Sequence, residues 1–491
     1  LKSLIVFLQC VLEDLGTRCG ISTTADLKTI RRRVEHEGLS FLTITLSDFG
    51  KELEKALDQG SVAPNAFSSF ARSKKAAGLP SFLRGFLEQV FDPTSGALLE
   101  APSIVAIQAL RQLTLMWGKI ELPCTDERTR KAMLKFLECE QDVRLFDSSI
   151  LSEADAFEDF RRVGRLLWAD FFASVDARIY NDSVLPKHGP GATADQLRGN
   201  AKYNQTVWTR RMEEIFPHWE HLIPSESLIE WTDGVTILEP GMEIPVKVIP
   251  VPKTLKTPRI IAVEPTAMQY MQQGILAVMV EEMARFDNTR NFISTESQQP
   301  NQRLAREGSI SGTLATLDLS EASDRVSNQH VRTLLENHRW LRQAVDSTRS
   351  RKADVRGYGV NETIRLAKFA SMGSALCFPF EALVFTTVIF MGIEKGQGRQ
   401  LTNNDIQSYV GRVRVYGDDI IVPVDMVQHV LGSLESFGFK VNRHKSFWSG
   451  KFRESCGKEY YDGQDVSIVR VRAPFPESRL HVREVVSTVS L

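Results

Sequence analysis

The stretch Val-Arg-Val-Tyr-Gly-Asp-Asp-Ile-Ile-Val at residues 413–422 leaves this chain little conformational choice. Two short β-branched runs flank a Tyr-Gly-Asp-Asp centre. That is the pattern of a β-hairpin, whose tight turn needs the positive φ that Gly417 supplies. Asp418 and Asp419 then stand side by side at the tip of a hairpin with apolar, core-seeking arms. Adjacent ionised carboxylates repel each other, and a fold bears that cost most readily where a divalent cation neutralises them. Taken alone, Gly-Asp-Asp is more often an exposed turn, because Asp and Gly are common turn formers. The rest of the chain changes that balance.

Sixty basic and 61 acidic side chains give a net charge of −1, so there is no global basic footprint for nucleic acid and any such site must be local. The 491 residues suffice for several sub-domains around a large core. Six cysteines are scattered without a Cys-x-x-Cys pair. That argues against a disulfide framework and a zinc site, and fits a reducing cytoplasm. The apolar run at residues 4–8 is far too short to span a bilayer, and no signal peptide is evident. The chain opens at Leu1 rather than Met, as a fragment would.

Residues 1–185 read as mainly helical. The run at 41–46 has the composition of a strand, followed by a helix capped at Ser47, stopped at Gly60 and burying Phe49, Leu53 and Leu57. Ser152 with Asp155 reads as the cap of a second helix, with Phe157, Phe160, Val163, Leu167 and Phe171 at helical spacing. Two glycines and two prolines at 186–191 make a rigid irregular loop that could face phosphate or simply connect; His188 within it is a lone histidine and no candidate ligand.

Lys247, Lys253, Lys256 and Arg259 fall in a window without an acid between Glu243 and Glu264, stiffened by Pro250, Pro252 and Pro258. In a chain of near-zero net charge this suggests a phosphate clamp, against the alternative of a solvated basic loop. The helix after it carries a core stripe of Met268, Met271, Ile275, Met279 and Met283. Residues 314–319 read as a strand ending near Asp318, a good position for a metal ligand. Asp324, six residues on, reads either as a helix N-cap or as a group over the same cleft. Ser371, Gly373 and Ser374 make a small-residue turn before the apolar helix 378–390 and permit close approach of a sugar-phosphate backbone. After the Asp-Asp hairpin come a helix at 427–437, a second acid-free basic window of Lys440, Arg443, Lys445, Lys451 and Arg453, and a hairpin turning at Asp462-Gly463.

Nucleotidyl transfer by two metals needs carboxylates from different strands, one ion activating a 3′-OH and the other stabilising the leaving pyrophosphate. Magnesium suits this work because it prefers hard oxygen ligands and keeps open positions for phosphates. Asp318 at one strand end and Asp418-Asp419 on a hairpin are one sufficient arrangement, with the basic windows left to neutralise triphosphate and RNA.

Asp318 with Asp324, Ser371-Met372-Gly373, Tyr416-Gly417-Asp418-Asp419 and Lys440…Lys445 stand in the order of the palm motifs of viral RNA-directed RNA polymerases. More closely, the chain resembles the replicase catalytic (beta) subunit of the single-stranded RNA bacteriophages, the levivirus group. The matching stretches are residues 188–193, 251–265, 301–308, 314–324, 369–373, the Asp-Asp hairpin and 452–458; the first 180 residues carry no matching motif. The resemblance implies an α+β right-hand polymerase of fingers, palm and thumb, with an antiparallel-sheet palm and a largely helical N-terminal region. It divides the chain into a helical N-terminal and fingers region (1–185), fingers with the basic strip (186–310), palm (311–450, with a fingers insertion at about 336–366) and the end of the palm with a partial thumb (451–491). It implies template-directed RNA synthesis from ribonucleoside triphosphates, with Asp318, Asp418 and Asp419 holding two Mg²⁺ ions and Mn²⁺ or Ca²⁺ as substitutes in binding. Lys253, Lys256 and Arg259 would contact the incoming triphosphate. Asp324 with Ser371, Gly373 and Ser374 would read the ribose 2′-OH. Lys445 or Lys440 would lie behind the site, near the pyrophosphate. Partners implied by the resemblance are RNA template and product, host elongation factors Tu and Ts and a ribosomal protein, in the cytoplasm of a bacterial host and without a membrane.

Two departures from the family pattern stand out. Ser374 occupies the place of a usual Asn, with less reach to a ribose, and the chain stops soon after Arg483, as a minimal or truncated thumb would. Two other readings compete. A reverse transcriptase would carry an aromatic steric gate after the first aspartate, where this chain has Leu319-Ser320-Glu321-Ala322. A non-enzymatic RNA-binding protein with a decayed palm would not keep all three carboxylates.

Overall fold

The computed structural model describes residues 2–73, 76–150, 154–222, 230 and 232–490. A four-stranded antiparallel sheet lies at its centre, in the spatial order Arg414–Tyr416, Asp419–Pro423, Leu314–Ser320, Lys440–Val441. Its middle strands alternate little: Ala315, Leu317, Leu319, Ile420, Ile421 and Val422 are all buried. A sheet covered on both faces needs such continuous apolar runs. The helix Cys377–Gln397 supplies much of the cover and is itself buried nearly end to end. By length and composition it is apolar enough to cross a membrane, but 89% of its most apolar window is enclosed by the rest of the protein.

A second four-stranded sheet has the order Arg259–Val263, Val246–Val251, Lys352–Gly357, Val360–Arg365. The proline-stiffened basic window is therefore a hairpin, joined in parallel by the strand Lys352–Gly357. The methionine-striped helix Thr266–Arg285 follows, with Met268, Met271, Ile275, Met279 and Met283 all buried. The long helix Ala154–Tyr180 buries Phe157, Phe160, Val163, Leu167 and Phe171 in the same core. Its expected cap at Ser152 lies outside the described residues.

The first 120 residues form a separate hydrophobic core, which also takes in Phe447, Phe452, Tyr461, Val466 and Val471. Two details differ from the sequence reading. Residues Phe41–Thr45 are a π-helical turn inside a continuous helical stretch, not a strand; a short apolar run carries no periodicity that separates the two. Ser47 caps nothing, because the next helix already begins at Leu46 and buries Ser47 in its first turn. That helix ends as expected, with Gly60 at φ 78°.

Candidate active site

The sheet register brings the first aspartate to the hairpin. Asp318 and Asp419 are direct partners across neighbouring antiparallel strands, next to the pairing of Leu317 with Ile420. Partners in such a pair have Cβ atoms roughly 4.5–5.5 Å apart. Tyr416 pairs with Asp419 around the two-residue turn Gly417-Asp418, with Gly417 at φ 57° as a hairpin turn of this length requires. A Cβ on Gly417 would sit 2.8 Å from the Phe378 ring and 3.3 Å from Glu381 Oε1, so close packing also demands glycine here.

Two of the three carboxylates are held by their own donors. Asn442 Nδ2 donates to Asp318 Oδ2 at 2.8 Å, and Lys445 Nζ lies 3.8 Å from Asp318 Oδ1. The Cys456 N–H and the Ser455 hydroxyl donate to Asp419 Oδ1 at 2.9 and 3.2 Å. Burial pushes the Asp318 carboxyl up to about 6; Lys445 and Asn442 pull against this, while Asp418 and Asp419 add repulsion. Burial also raises Asp419, helped by the charge of Asp418. Burial works against the Lys445 ammonium, but Asp318, Glu454, Asp418 and Asp419 together hold it above the ordinary lysine range. The three aspartates do not bring one oxygen each within 4.8 Å of one another, as mutual repulsion of like charges favours. A set of hard oxygens from the half-buried Asp318 and Asp419, whose ionised forms burial and neighbouring carboxylates disfavour, and from the exposed Asp418 beside them fits divalent magnesium.

The basic hairpin faces this cluster through part of its length. Burial, Arg259 and Lys445 lower the Lys253 ammonium, while Asp418 and Asp318 raise it, so Lys253 shares the electrostatic field of the aspartates. Arg259 opens the strand opposite Val251. Lys256 instead lies 3.4 Å from Asp48 of the N-terminal region. The second basic window divides more sharply. Lys445 faces Asp318, whereas Arg443 pairs with Glu435 and Lys451 with Asp462. Arg453 is fully buried and donates to the Leu314 carbonyl at 2.7 Å, so it braces the central strand and is no contact for RNA. Of Lys440 and Lys445, Lys445 is the one whose ammonium lies 3.8 Å from Asp318.

Asp324 is not a helix cap. The helix Asn328–Leu334 is capped by Ser327, with His330 completing a capping box. Asp324 Oδ1 instead accepts from the Ser371 hydroxyl at 2.7 Å and from Lys368 Nζ at 3.2 Å. Gly373 has φ 131°, and a Cβ there would stand 2.1 Å from the Ala262 carbonyl oxygen. The Ala262 N–H donates to the Met372 carbonyl at 2.9 Å, so the small-residue turn is pinned to the basic hairpin. Ser374 donates to Gln272 Oε1 at 3.0 Å. His188 stacks on Tyr270 at 4.3 Å and is pushed down to about 4 by burial, then by Lys202. Lys202 fills its loop by donating to the carbonyls of Gly189 and Gly191.

Four side chains near the site escaped sequence reading. Lys368 is fully buried, with its ammonium 3.7 Å from the Phe136 ring centre. Gln272 sits off the methionine stripe and links Ser374 to the Thr348 carbonyl. Glu381 is buried beneath the Gly417 turn; burial raises its carboxyl strongly, and Asp418 and Asp324 add to the rise. Lys119 comes from the N-terminal core; burial lowers its ammonium, as do Arg470, Lys445 and Arg472, while Glu454 opposes them. An isolated charge inside an apolar stretch was the one available signal for Lys368 and Glu381.

A family model described as RNA replicase, beta-chain matches residues 242–480. The RNA-directed RNA polymerase beta chain of Escherichia phage MS2 is 36% identical over 227 residues, 46% of this chain and 38% of that protein. The RNA-directed RNA polymerase subunit beta of Qbeta virus (strain MX1) is 37% identical over 226 residues, 46% of this chain and 35% of that protein. The chain thus spans little more than a third of the length of these relatives. The crystal structure of the RNA-dependent RNA polymerase of a human picorbirnavirus aligns at 14% identity and a TM-score of 0.32, over 47% of this chain and 46% of that one. All three aspartates, Lys253, Arg259, Asp324, the turn at Gly373 and Lys445 fall inside residues 242–480, the segment over which this chain is similar to the RNA replicase beta-chain family.

Proposed function

We propose that this chain catalyses template-directed RNA synthesis from ribonucleoside triphosphates by two-metal nucleotidyl transfer, in the replication of a viral genome in the cytoplasm of a bacterial host. The observation that carries this reading is the register pairing of Asp318 with Asp419, with Asp418 in the adjoining turn and Lys445 facing all three. Asp318, Asp418 and Asp419 would hold two Mg²⁺ ions, which would activate the primer 3′-OH and offset the charge of the leaving pyrophosphate. Asn442, Cys456 and Ser455 fix the directions of two of these carboxylates before substrate arrives. Lys253 and Arg259 are suited to the triphosphate, and Lys445 to the charge that develops on pyrophosphate. Lys256, at the tip of the same hairpin, would exchange Asp48 for phosphate. Asp324, Ser371, Gly373 and Ser374 would line the ribose pocket.

In this reading the fold is a right hand. The central sheet is the palm at 311–450, the basic hairpin and the insertion at about 336–366 belong to the fingers with 186–310, residues 1–185 are an N-terminal and fingers region, and 451–491 end the palm and begin the thumb. RNA template and product are the primary partners. Elongation factors Tu and Ts and a ribosomal protein are proposed as host subunits, in keeping with the name beta chain carried by the relatives. The absence of an aromatic residue at Leu319–Ala322 favours RNA over DNA synthesis.

Primer extension on an RNA template with Mg²⁺, comparing ribonucleotides with deoxyribonucleotides, tests the reading. Ribonucleotide incorporation is expected for the wild type. Asp318→Asn should lower turnover by about three orders of magnitude or more, ~4 kcal/mol of barrier. Near-wild-type incorporation by Asp318→Asn would overturn the assignment.

A further inference from the structure

At the far end of the helix Ala154–Tyr180 the chain turns through Asp182, which adopts φ 51°. The short helix His218–His221 packs beside this turn. Three ligand atoms meet there, one each from Asp182, Glu220 and His221, all within 4.8 Å of one another. Among the described residues no other trio of His, Cys, Asp or Glu meets this closely.

The histidine is the more telling member. His221 is 7% exposed, and three contacts fix it: Nδ1 faces the Pro217 carbonyl at 2.9 Å, the ring meets Phe216 edge-on at 5.3 Å, and the Tyr270 hydroxyl donates to its backbone carbonyl at 2.9 Å. A carbonyl can only accept, so Nδ1 carries the proton and Nε2 presents a lone pair. A backbone carbonyl behind one ring nitrogen is how metal-ligating histidines are oriented. Nε2 points at Asp182 Oδ1 from 3.7 Å, too far for a hydrogen bond. Neighbouring His218 is already taken by Glu213 at 2.9 Å. Among the described residues, neither Asp182 nor Glu220 is paired with a lysine or arginine. Two like-charged carboxylates thus converge on the lone pair of a buried imidazole, an arrangement that a divalent cation relieves.

We propose that Asp182, Glu220 and His221 form a divalent-metal site of the zinc class, distinct from the three-aspartate cleft. One imidazole nitrogen and two carboxylates are a normal zinc donor set, completed by water at an open fourth position. Ligand atoms about 2.0–2.2 Å from such an ion lie little more than 3 Å apart. The observed separations therefore close by small rotations of the two exposed carboxylates, while the buried histidine stays still. The lack of paired cysteines excludes only thiolate sites; this one needs none. Bound metal would clamp the end of the long helix to the segment before Leu222, a role apart from chemistry.

Equilibrium dialysis of the purified chain against Zn²⁺, in excess Mg²⁺ to occupy magnesium sites, tests the proposal beside the double variant D182N/E220Q. Both substitutions are near-isosteric and on exposed side chains, so the metal-free variant should melt with the wild type. The wild type should bind one more zinc equivalent than the variant, or bind it at least roughly tenfold more tightly, and zinc should raise the melting temperature of the wild type alone. Co²⁺ should give visible absorption without a thiolate charge-transfer band. Equal zinc binding by the two proteins, or a thiolate band in the cobalt spectrum, would overturn the site.

Discussion

Asp324 joins a proposed part in sugar selection to a structural part as counter-ion of Lys368. Its carboxylate receives the Ser371 hydroxyl on the cleft side and the fully buried Lys368 ammonium behind. A ribose 2′-OH would compete for the first of these, and a protein rejects the deoxy analogue most strongly where its own polar group is left unpaired. Removing the carboxylate, however, also strands a buried cation, which costs about 3–5 kcal/mol. Asp324→Ala should therefore lower both the melting temperature and the preference for ribonucleotides. The pair Asp324→Ala with Lys368→Met separates the effects: stability should recover, because no charge is left without a partner, while the sugar preference stays narrowed. Incorporation rates for both sugars, measured beside thermal melts on the single and double variants, check this. A wild-type sugar ratio in the double variant would reduce Asp324 to a counter-ion for Lys368.

At the scale of elements, the turn Ser371–Ser374 and the basic hairpin behave as one unit. Met372 accepts the Ala262 N–H, and the absence of a Cβ at Gly373 lets the two backbones touch. Gly373→Ala would drive a methyl to 2.1 Å from the Ala262 oxygen at a φ of 131°. The turn must then leave the hairpin, and catalytic efficiency should fall by about a hundredfold or more, ~3 kcal/mol, with a lower melting temperature; steady-state kinetics and melting curves report both. What was legible in the sequence follows the same division. The Asp-Asp hairpin and the strand at Leu314 announce themselves through alternation and turn residues, which act within a few residues, whereas the prolines marked the basic window only as a stiffened extended segment and not as a hairpin. Their convergence was legible only as motif order, through a family resemblance. Partnerships over longer separations had no local signature: Lys368 with Asp324, Gln272 with Ser374, Glu381 beneath Gly417. The same blindness made Arg453 look like an RNA contact, since a charge within an acid-free window reads as exposed until its partner carbonyl is known. Phe41–Thr45 failed for a different reason, an apolar run too short to show its period.

For the molecule as a whole, two features set stability. Glu264, buried behind the small-residue turn with Ser350 as a donor, is pushed up to about 7 by burial, from 4.5. A carboxyl raised in the folded state contributes stability that is fully present below its unfolded pKa and lost as pH rises through the folded one. The wild type should therefore lose stability between about pH 4.5 and 7 relative to Glu264→Gln, by up to ~3 kcal/mol; urea titrations across that window measure the difference. The second feature is Arg111, fully buried between Glu54 and Glu459 and donating to the Val466 carbonyl. Arg111→Ala leaves these acids facing each other, and unfolding free energy should fall by about 3–5 kcal/mol, again read by urea. This ion cluster closes the core that residues 4–120 share with Phe447, Phe452 and Val471. The sharing has a consequence for the order in which the chain is made. The first 120 residues leave the ribosome with an apolar face whose cover does not exist until residue 471 has been added. At roughly 5–20 residues per second, that interval is about 20–70 s. Through it the nascent N-terminal segment exposes a sticky surface and depends on chaperones or on slow collapse. The strands Phe452–Ser455 and Lys458–Tyr461, whose turn holds Asp419 in place, arrive only near the end of that interval, so a polypeptide interrupted before then would leave Asp419 without these donors and be prone to aggregate.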